Sequence, residues 1–146
     1  VSTRVASLND VMRAVTGQLT AQLASVLSGV QVCAELVYNP TPPSIDVYPA
    51  DPFLTAEAVG AWSALFVIRA RVTTADQQGG QELLLDLMDP RSETSLRAAL
   101  AADATFGGVC DDSTVEAGPS GYIAYRDPGG GGDLLGCTWQ LRVMLS

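Results

Sequence analysis

The sequence of 146 residues predicts an α+β fold, a mainly antiparallel sheet with a long N-terminal helix and two short helices packed on it, and three observations predict it. Between Ser7 and Ser28 apolar residues recur at three- and four-residue spacing, the mark of one buried helix stripe. Between Leu135 and Leu145 they alternate without a fault against Gly136, Thr138, Gln140, Arg142 and Met144, the mark of a half-buried strand. From Ala61 to Gly108 a strand-like run, two helix-spaced stretches and a glycine exit form one unit around which the rest is organised.

The first helix carries Leu8, Val11, Met12, Val15, Leu19, Leu23, Val26 and Leu27 on its stripe. Ser7 and Asp10 have capping-box spacing, and Gly29 is placed to end the helix. Val30 to Val37 alternates as a strand, and Ser44 to Tyr48 reads as another with Ile45 and Val47 on its apolar face. Prolines 40, 42 and 43 forbid a ladder between them, because each removes a donor. Pro49 to Pro52 closes the second strand, and Phe53 to Gly60 reads as a linking loop.

The run Ala61–Val72 is apolar on both faces near its start, which suits an interior strand covered on both sides. Arg69 and Arg71 share its second face toward the end, so that end is expected to reach solvent or a partner. Leu83, Leu84 and Leu87 face the core on the first short helix, which Asp89-Pro90 stops. The second has Leu96, Ala99 and Leu100 as its stripe, with Ser92 or Thr94 as cap. The last third reads as a meander: Val109–Ala117 interrupted at Asp111-Asp112, then Gly121–Arg126, a glycine-rich hairpin loop, and the faultless alternation that places Trp139 in the core.

A chain of this length forms one domain and buries about 68–70% of its unfolded surface. Its net charge of -8 argues against a surface that grips phosphate backbones. All eight basic residues are arginine. Histidine is absent, which removes the imidazole base, the Ser-His and Cys-His pairs and His-containing metal sites. Cys33, Cys110 and Cys137 are an odd number without CxxC spacing, so they read as small buried residues of a reducing compartment. No run approaches membrane-spanning length and no charged leader precedes an apolar core, so a soluble protein made in the cytoplasm is expected.

Three features resemble chemistry superficially. Gly129, Gly130, Gly131 and Gly132 lack the Gly-Lys-Ser/Thr that completes a phosphate cradle, and Asp133 would repel phosphate. Asp111 and Asp112 are adjacent, so on a strand they point to opposite faces and cannot share a substrate. Asp86 and Asp89 are a helix-end surface pair. The expectation is therefore no catalytic residue, cofactor or metal. A small-molecule-binding or enzymatic α+β domain stays as the alternative of another class.

Leu96-Arg97-Ala98-Ala99-Leu100, Asp103, Phe106-Gly107-Gly108-Val109-Cys110-Asp111-Asp112 and Val115 resemble the tail terminator proteins of long-tailed phages infecting actinobacteria. So do Gly121-Tyr122 and Leu135-Gly136-Cys137-Thr138-Trp139-Gln140-Leu141-Arg142-Val143, and the similarity runs from about Ala64 to Leu145. The resemblance implies an α/β subunit with a mainly antiparallel sheet, assembled as a six-fold ring in the virion at the tail–neck junction. Such a ring caps the completed tail tube, ends elongation and offers the head-attachment surface. Its partners would be further copies of itself, the tail tube protein and the head-completion (connector) protein, with DNA traversing the lumen without specific binding and no membrane contact. The excess of carboxylates suits a lumen that must not hold phosphates. A neck or head-completion protein one ring nearer the capsid is the structural alternative. Candidate interface residues are Arg69, Arg71, Thr41, Pro42, Pro43, Asp111, Asp112, Arg126 and Gly129 to Gly132, with some of the eight arginines expected to meet acidic neighbours.

Overall fold

A computed structural model describes residues 6–23, 31–33, 44–73, 77–93, 95–126 and 133–146. The element order is α1 (Leu8–Leu23), β1 (Gln31–Cys33), β2 (Ser44–Ala58), β3 (Ala61–Thr73), α2 (Gln77–Met88), α3 (Leu96–Ala101), β4 (Asp112–Arg126) and β5 (Asp133–Leu145). They build a five-stranded sheet in the order β1-β2-β3-β5-β4. β1 runs parallel to β2, and the other three pairings are antiparallel, as the α+β reading requires.

β3 is the interior strand its sequence suggests. It pairs with β2 on one side, and with β5 on the other from Trp62–Leu145 to Thr73–Leu134. Its Ala64, Phe66, Ile68, Ala70 and Val72 are buried on one face, beside Cys137, Trp139, Leu141 and Val143 of β5 and Ile45 and Val47 of β2. The helices supply the other side of this core: Val11, Val15, Leu19 and Leu23 of α1, Leu84 and Leu87 of α2, and Leu96, Ala99 and Leu100 of α3.

Helix ends are closed by the groups that local chemistry demands. The Ser7 amide donates to Asp10 Oδ2 at 2.9 Å and the Asp10 amide donates to Ser7 Oγ at 3.1 Å, a complete capping box. The N-cap of α3 is Ser95, not Ser92 or Thr94: its Oγ accepts from the Ala98 amide at 3.0 Å. At the other end of α3, Gln18 Nε2 donates to the Ala99 and Leu100 carbonyls at 2.9 and 3.1 Å. Those carbonyls have no partner within a six-residue helix, so α1 satisfies them while packing on it.

Three expectations need correction. Phe53 to Gly60 is not a linking loop: β2 continues to Ala58 and turns into β3 at Val59-Gly60. The proline pair is absorbed by a register shift between Pro49 and Leu54, which lets a strand pass residues that cannot donate. The Phe53 ring then meets Phe66 edge-on, with centroids 5.2 Å apart. Likewise, Asp111-Asp112 does not interrupt a strand, because β4 starts at Asp112 and runs unbroken to Arg126. Three register shifts carry β4 past Gly118-Pro119. Gly118 has φ +111°, and a Cβ there would lie 2.8 Å from Trp139 Cα, so only glycine allows this approach. Finally, β3 is not covered by a second layer at its start. Trp62 is 47% exposed, and Leu8 at the start of α1 is 38% exposed.

The expected end of the first helix, most of the strand Val30 to Val37, the proline-rich loop and the glycine-rich hairpin loop fall on residues 24–30, 34–43 and 127–132, outside the described residues. Arg126 and Asp133 are register partners, so the β4–β5 ladder is paired up to those two residues.

Trp139 is 1% exposed among the residues of both layers. Trp139→Ala is expected to lower unfolding free energy by about 3–5 kcal/mol. Urea denaturation checks this, and an unchanged midpoint would contradict the core placement.

Candidate interface surfaces

Side chains on the second face of the sheet alternate with the core residues, and beside Leu65 and Val67 this face carries charged and polar groups. Two ionic clusters lie there. Asp46 of β2 stands directly opposite Arg69 of β3, with Arg71 two residues further along. Arg69 Nη2 donates to Asp46 Oδ2 at 2.8 Å, and Arg71 Nη2 lies 3.4 Å from Asp46 Oδ1. The Arg69 guanidinium also lies 5.5 Å from the centre of the Tyr48 ring, within cation–π range. Arg71 and Asp46 are buried, at 5% and 1% exposure. Arg71, expected with Arg69 to reach solvent or a partner, is instead buried in an ionic cluster within the chain. The cause is cross-strand register: a carboxylate opposite an arginine gives it a partner inside the sheet.

The second cluster crosses four strands. Arg142 of β5 binds Glu116 of β4 in a fork, Nε to Oε1 at 3.1 Å and Nη2 to Oε2 at 2.9 Å. Its Nη1 donates to Ser63 Oγ of β3 at 2.9 Å, and Ser63 Oγ donates to Glu57 Oε1 of β2 at 2.7 Å. Hydrogen bonding to Glu116 raises the Arg142 guanidinium above its ordinary value. This row ties the sheet edge to its centre through side chains as well as the ladder.

Arginine is thus largely committed within the chain. Besides these three, Arg13 pairs with Asp10, Arg91 with Asp89, and Arg97 donates to the Gly118 carbonyl. Of the arginines named as interface candidates, Arg69 and Arg71 hold Asp46, while Arg126 closes the end of β4. Thr41, Pro42, Pro43 and Gly129 to Gly132 lie outside the described residues.

Asp111 and Asp112 are exposed where the α3–β4 turn joins the sheet, and the Asp111 amide donates to the Met144 carbonyl at 2.9 Å. Asp103 organises that turn. Its carboxylate accepts from Thr105 Oγ1 at 2.8 Å, from the Thr105 amide at 3.0 Å and from the Gly107 amide at 2.9 Å. The Thr105 hydroxyl, then these amides, hold the Asp103 carboxyl below its ordinary value. Phe106 takes φ 49°, an uncommon conformation for a bulky residue, and its ring is buried at 4% exposure.

That turn forms one wall of a groove of about 790 Å³. Leu54, Trp62 and Leu145 from the sheet and Leu8 from α1 line it, with Val109 and Asp111 from the turn. This groove is not visible in the residue pattern, which reads Leu54 as part of a loop and Trp62 as part of a covered strand. The signal present was an apolar residue, Leu54, within a segment of alternating pattern after Pro52.

Among the described residues no group of three or more His, Cys, Asp or Glu side chains could hold a metal ion, and no helix is long and apolar enough to cross a membrane. No family model matches the chain, and no curated protein matches it.

Asp46→Ala leaves two guanidinium groups without their shared carboxylate, and is expected to cost about 3–5 kcal/mol in urea denaturation. A loss within error of zero would show that the cluster is not needed. Burial, reinforced by Asp111, Asp112 and Asp103, pushes the Cys110 thiol up to about 11, and burial alone pushes Cys137 up to about 12. Raised folded values favour the folded state below the ordinary thiol value of 9.0, and that contribution is lost as pH rises toward about 11. In a Cys33→Ser background, iodoacetamide at pH 8 is expected to label the native protein slowly and the urea-unfolded protein fully. Rapid native labelling would contradict the burial of both thiols.

Proposed function

We propose that this protein is a structural subunit of a phage tail, a tail terminator whose ring caps the finished tail tube and carries the surface to which the filled head attaches. The observation that carries the reading is the resemblance of Leu96–Val115 and Leu135–Val143 to tail terminators of long-tailed actinobacteriophages. In the fold these stretches form α3, the Asp103-organised turn, the start of β4 and most of β5.

The physical properties of the chain suit such a role. A ring subunit needs a rigid framework, and the cross-strand ionic rows stiffen the sheet beyond its ladder. It needs a surface for neighbouring subunits, which β4 at the sheet edge provides. Through its lumen DNA must slide without sticking, and a net charge of -8 repels phosphate. In this reading the protein performs no chemistry, and it acts where tail and head meet in the virion.

Deleting the gene from the phage tests the proposal by electron microscopy of lysates. The expected outcome is filled heads and unjoined tail tubes of uncontrolled length, with joining restored by added wild-type protein. Unjoined tubes of uniform length would move the protein to the neck, one ring nearer the capsid. Normal joined particles would overturn the structural reading.

A further inference from the structure

The sheet outruns the helices that cover it. At 1.5 Å per residue the 16 residues of α1 reach about 24 Å. At about 3.3 Å per residue the 13 of β3 reach about 43 Å. Among the described residues the helix-covered face ends in exposed apolar surface at the start of β3, where Trp62 is 47% and Leu54 43% exposed. Trp62 pairs with Leu145 across the ladder and lies on the same face as Ala64, Phe66 and Ile68. The register shift after Pro49 places Leu54 opposite Ala64, which turns Leu54 to that face as well. Leu8 closes the groove from above, and three of the large apolar side chains exposed on this chain, Leu8, Leu54 and Trp62, meet in it. Scattered exposed leucines are ordinary, but a converging set with a concave shape is not.

Charge narrows what can fill the groove. Its described lining holds one ionised side chain, Asp111, and no basic one. Asp112 is exposed beside it. A second copy would bring another net charge of -8, with Arg13, Arg69, Arg71, Arg91, Arg97 and Arg142 already bonded within their own chain. Like charges facing each other across an interface are penalised, whereas a basic partner is favoured.

We propose that this groove docks a segment of a different protein, one that inserts an aliphatic or aromatic side chain against Trp62, Leu54 and Leu8 and sets a lysine or arginine beside Asp111. The proposal stands apart from the terminator reading, since it requires only a partner of this chemistry. Trp139 is buried, so a change in indole emission on binding reports Trp62.

The test titrates the full chain with a tryptophan-free synthetic decapeptide holding two leucines and a phenylalanine flanked by lysines, and with the same peptide carrying glutamates instead. Fluorescence and calorimetry follow binding, and thermal melting shows that each variant is folded. Expected are a saturable blue shift with the lysine peptide, weaker binding of the glutamate peptide, and loss of the shift in Leu54→Ser. Asp111→Lys, at an exposed position, should weaken the lysine peptide roughly fivefold, the upper range for one exposed charge pair, and strengthen the glutamate peptide. Several outcomes would overturn the proposal. They are absence of saturable binding, full binding by Leu54→Ser, indifference to peptide charge and to Asp111→Lys, or a concentration-dependent blue shift of the protein alone that Leu54→Ser removes. The last would identify a second copy as the occupant.

Discussion

β3 must pair along both edges while its two faces meet different environments, and the other elements arrange themselves around that constraint. Its ladder to β5 runs from Trp62 to Thr73 without a register shift, while the ladder to β2 is shifted once at Pro49–Leu54 and again at Ala56–Ala58. One row of side chains, Ala64 through Val72, is apolar and needs a covering layer. The helices meet that need, and the core is contiguous because all three share this face. The small residues Ala64 and Ala70 let the layers approach, while Phe66 and Trp139 fill the space between them.

The opposite row solves a different problem. Arginines on a sheet face lose hydration when neighbouring strands crowd them, so each requires an acceptor at hydrogen-bond distance. Register supplies it: Asp46 lies opposite Arg69, and Glu116 reaches Arg142 from the edge strand. Buried ion pairs contribute little net stability relative to apolar substitutes, yet breaking one is costly. Their consequence here is uniqueness of pairing. A one-residue slip between β2 and β3 would put Asp46 among apolar side chains and the core residues of β2 on the ionic face.

The turn held by Asp103 links the core to the groove. It returns the chain from α3 to the start of β4 through three consecutive positive φ angles, at Phe106, Gly107 and Gly108. The two glycines adopt that conformation readily, and the buried Phe106 ring anchors the turn to the core. Asp111 thereby arrives beside the open end of the sheet, which gives an apolar groove its acidic lip. Local turn chemistry and the exposed start of β3 together create the surface that distinguishes this end of the molecule.

Elements whose pattern is periodic were legible from residues alone: the capping box and stripe of α1, the alternation of β5, the interior character of β3 and the leucine faces of α2 and α3. Periodicity records which side of an element is apolar, and burial of that side follows wherever a covering layer exists. The sequence by itself therefore determined the α+β class and most of the core, including Trp139. It could not determine the course of β2 beyond Pro49 or the continuity of β4 through Gly118-Pro119, because a register shift is a property of two strands and neither alone encodes it. Nor could it distinguish a solvated Arg71 from a buried one, since the deciding group, Asp46, lies 25 residues earlier in the chain and meets it only through pairing. The groove belongs to the same class. Leu8, Leu54, Trp62 and Leu145 are far apart in sequence, and only the tertiary structure decided that the sheet extends past its helices and leaves them facing one another.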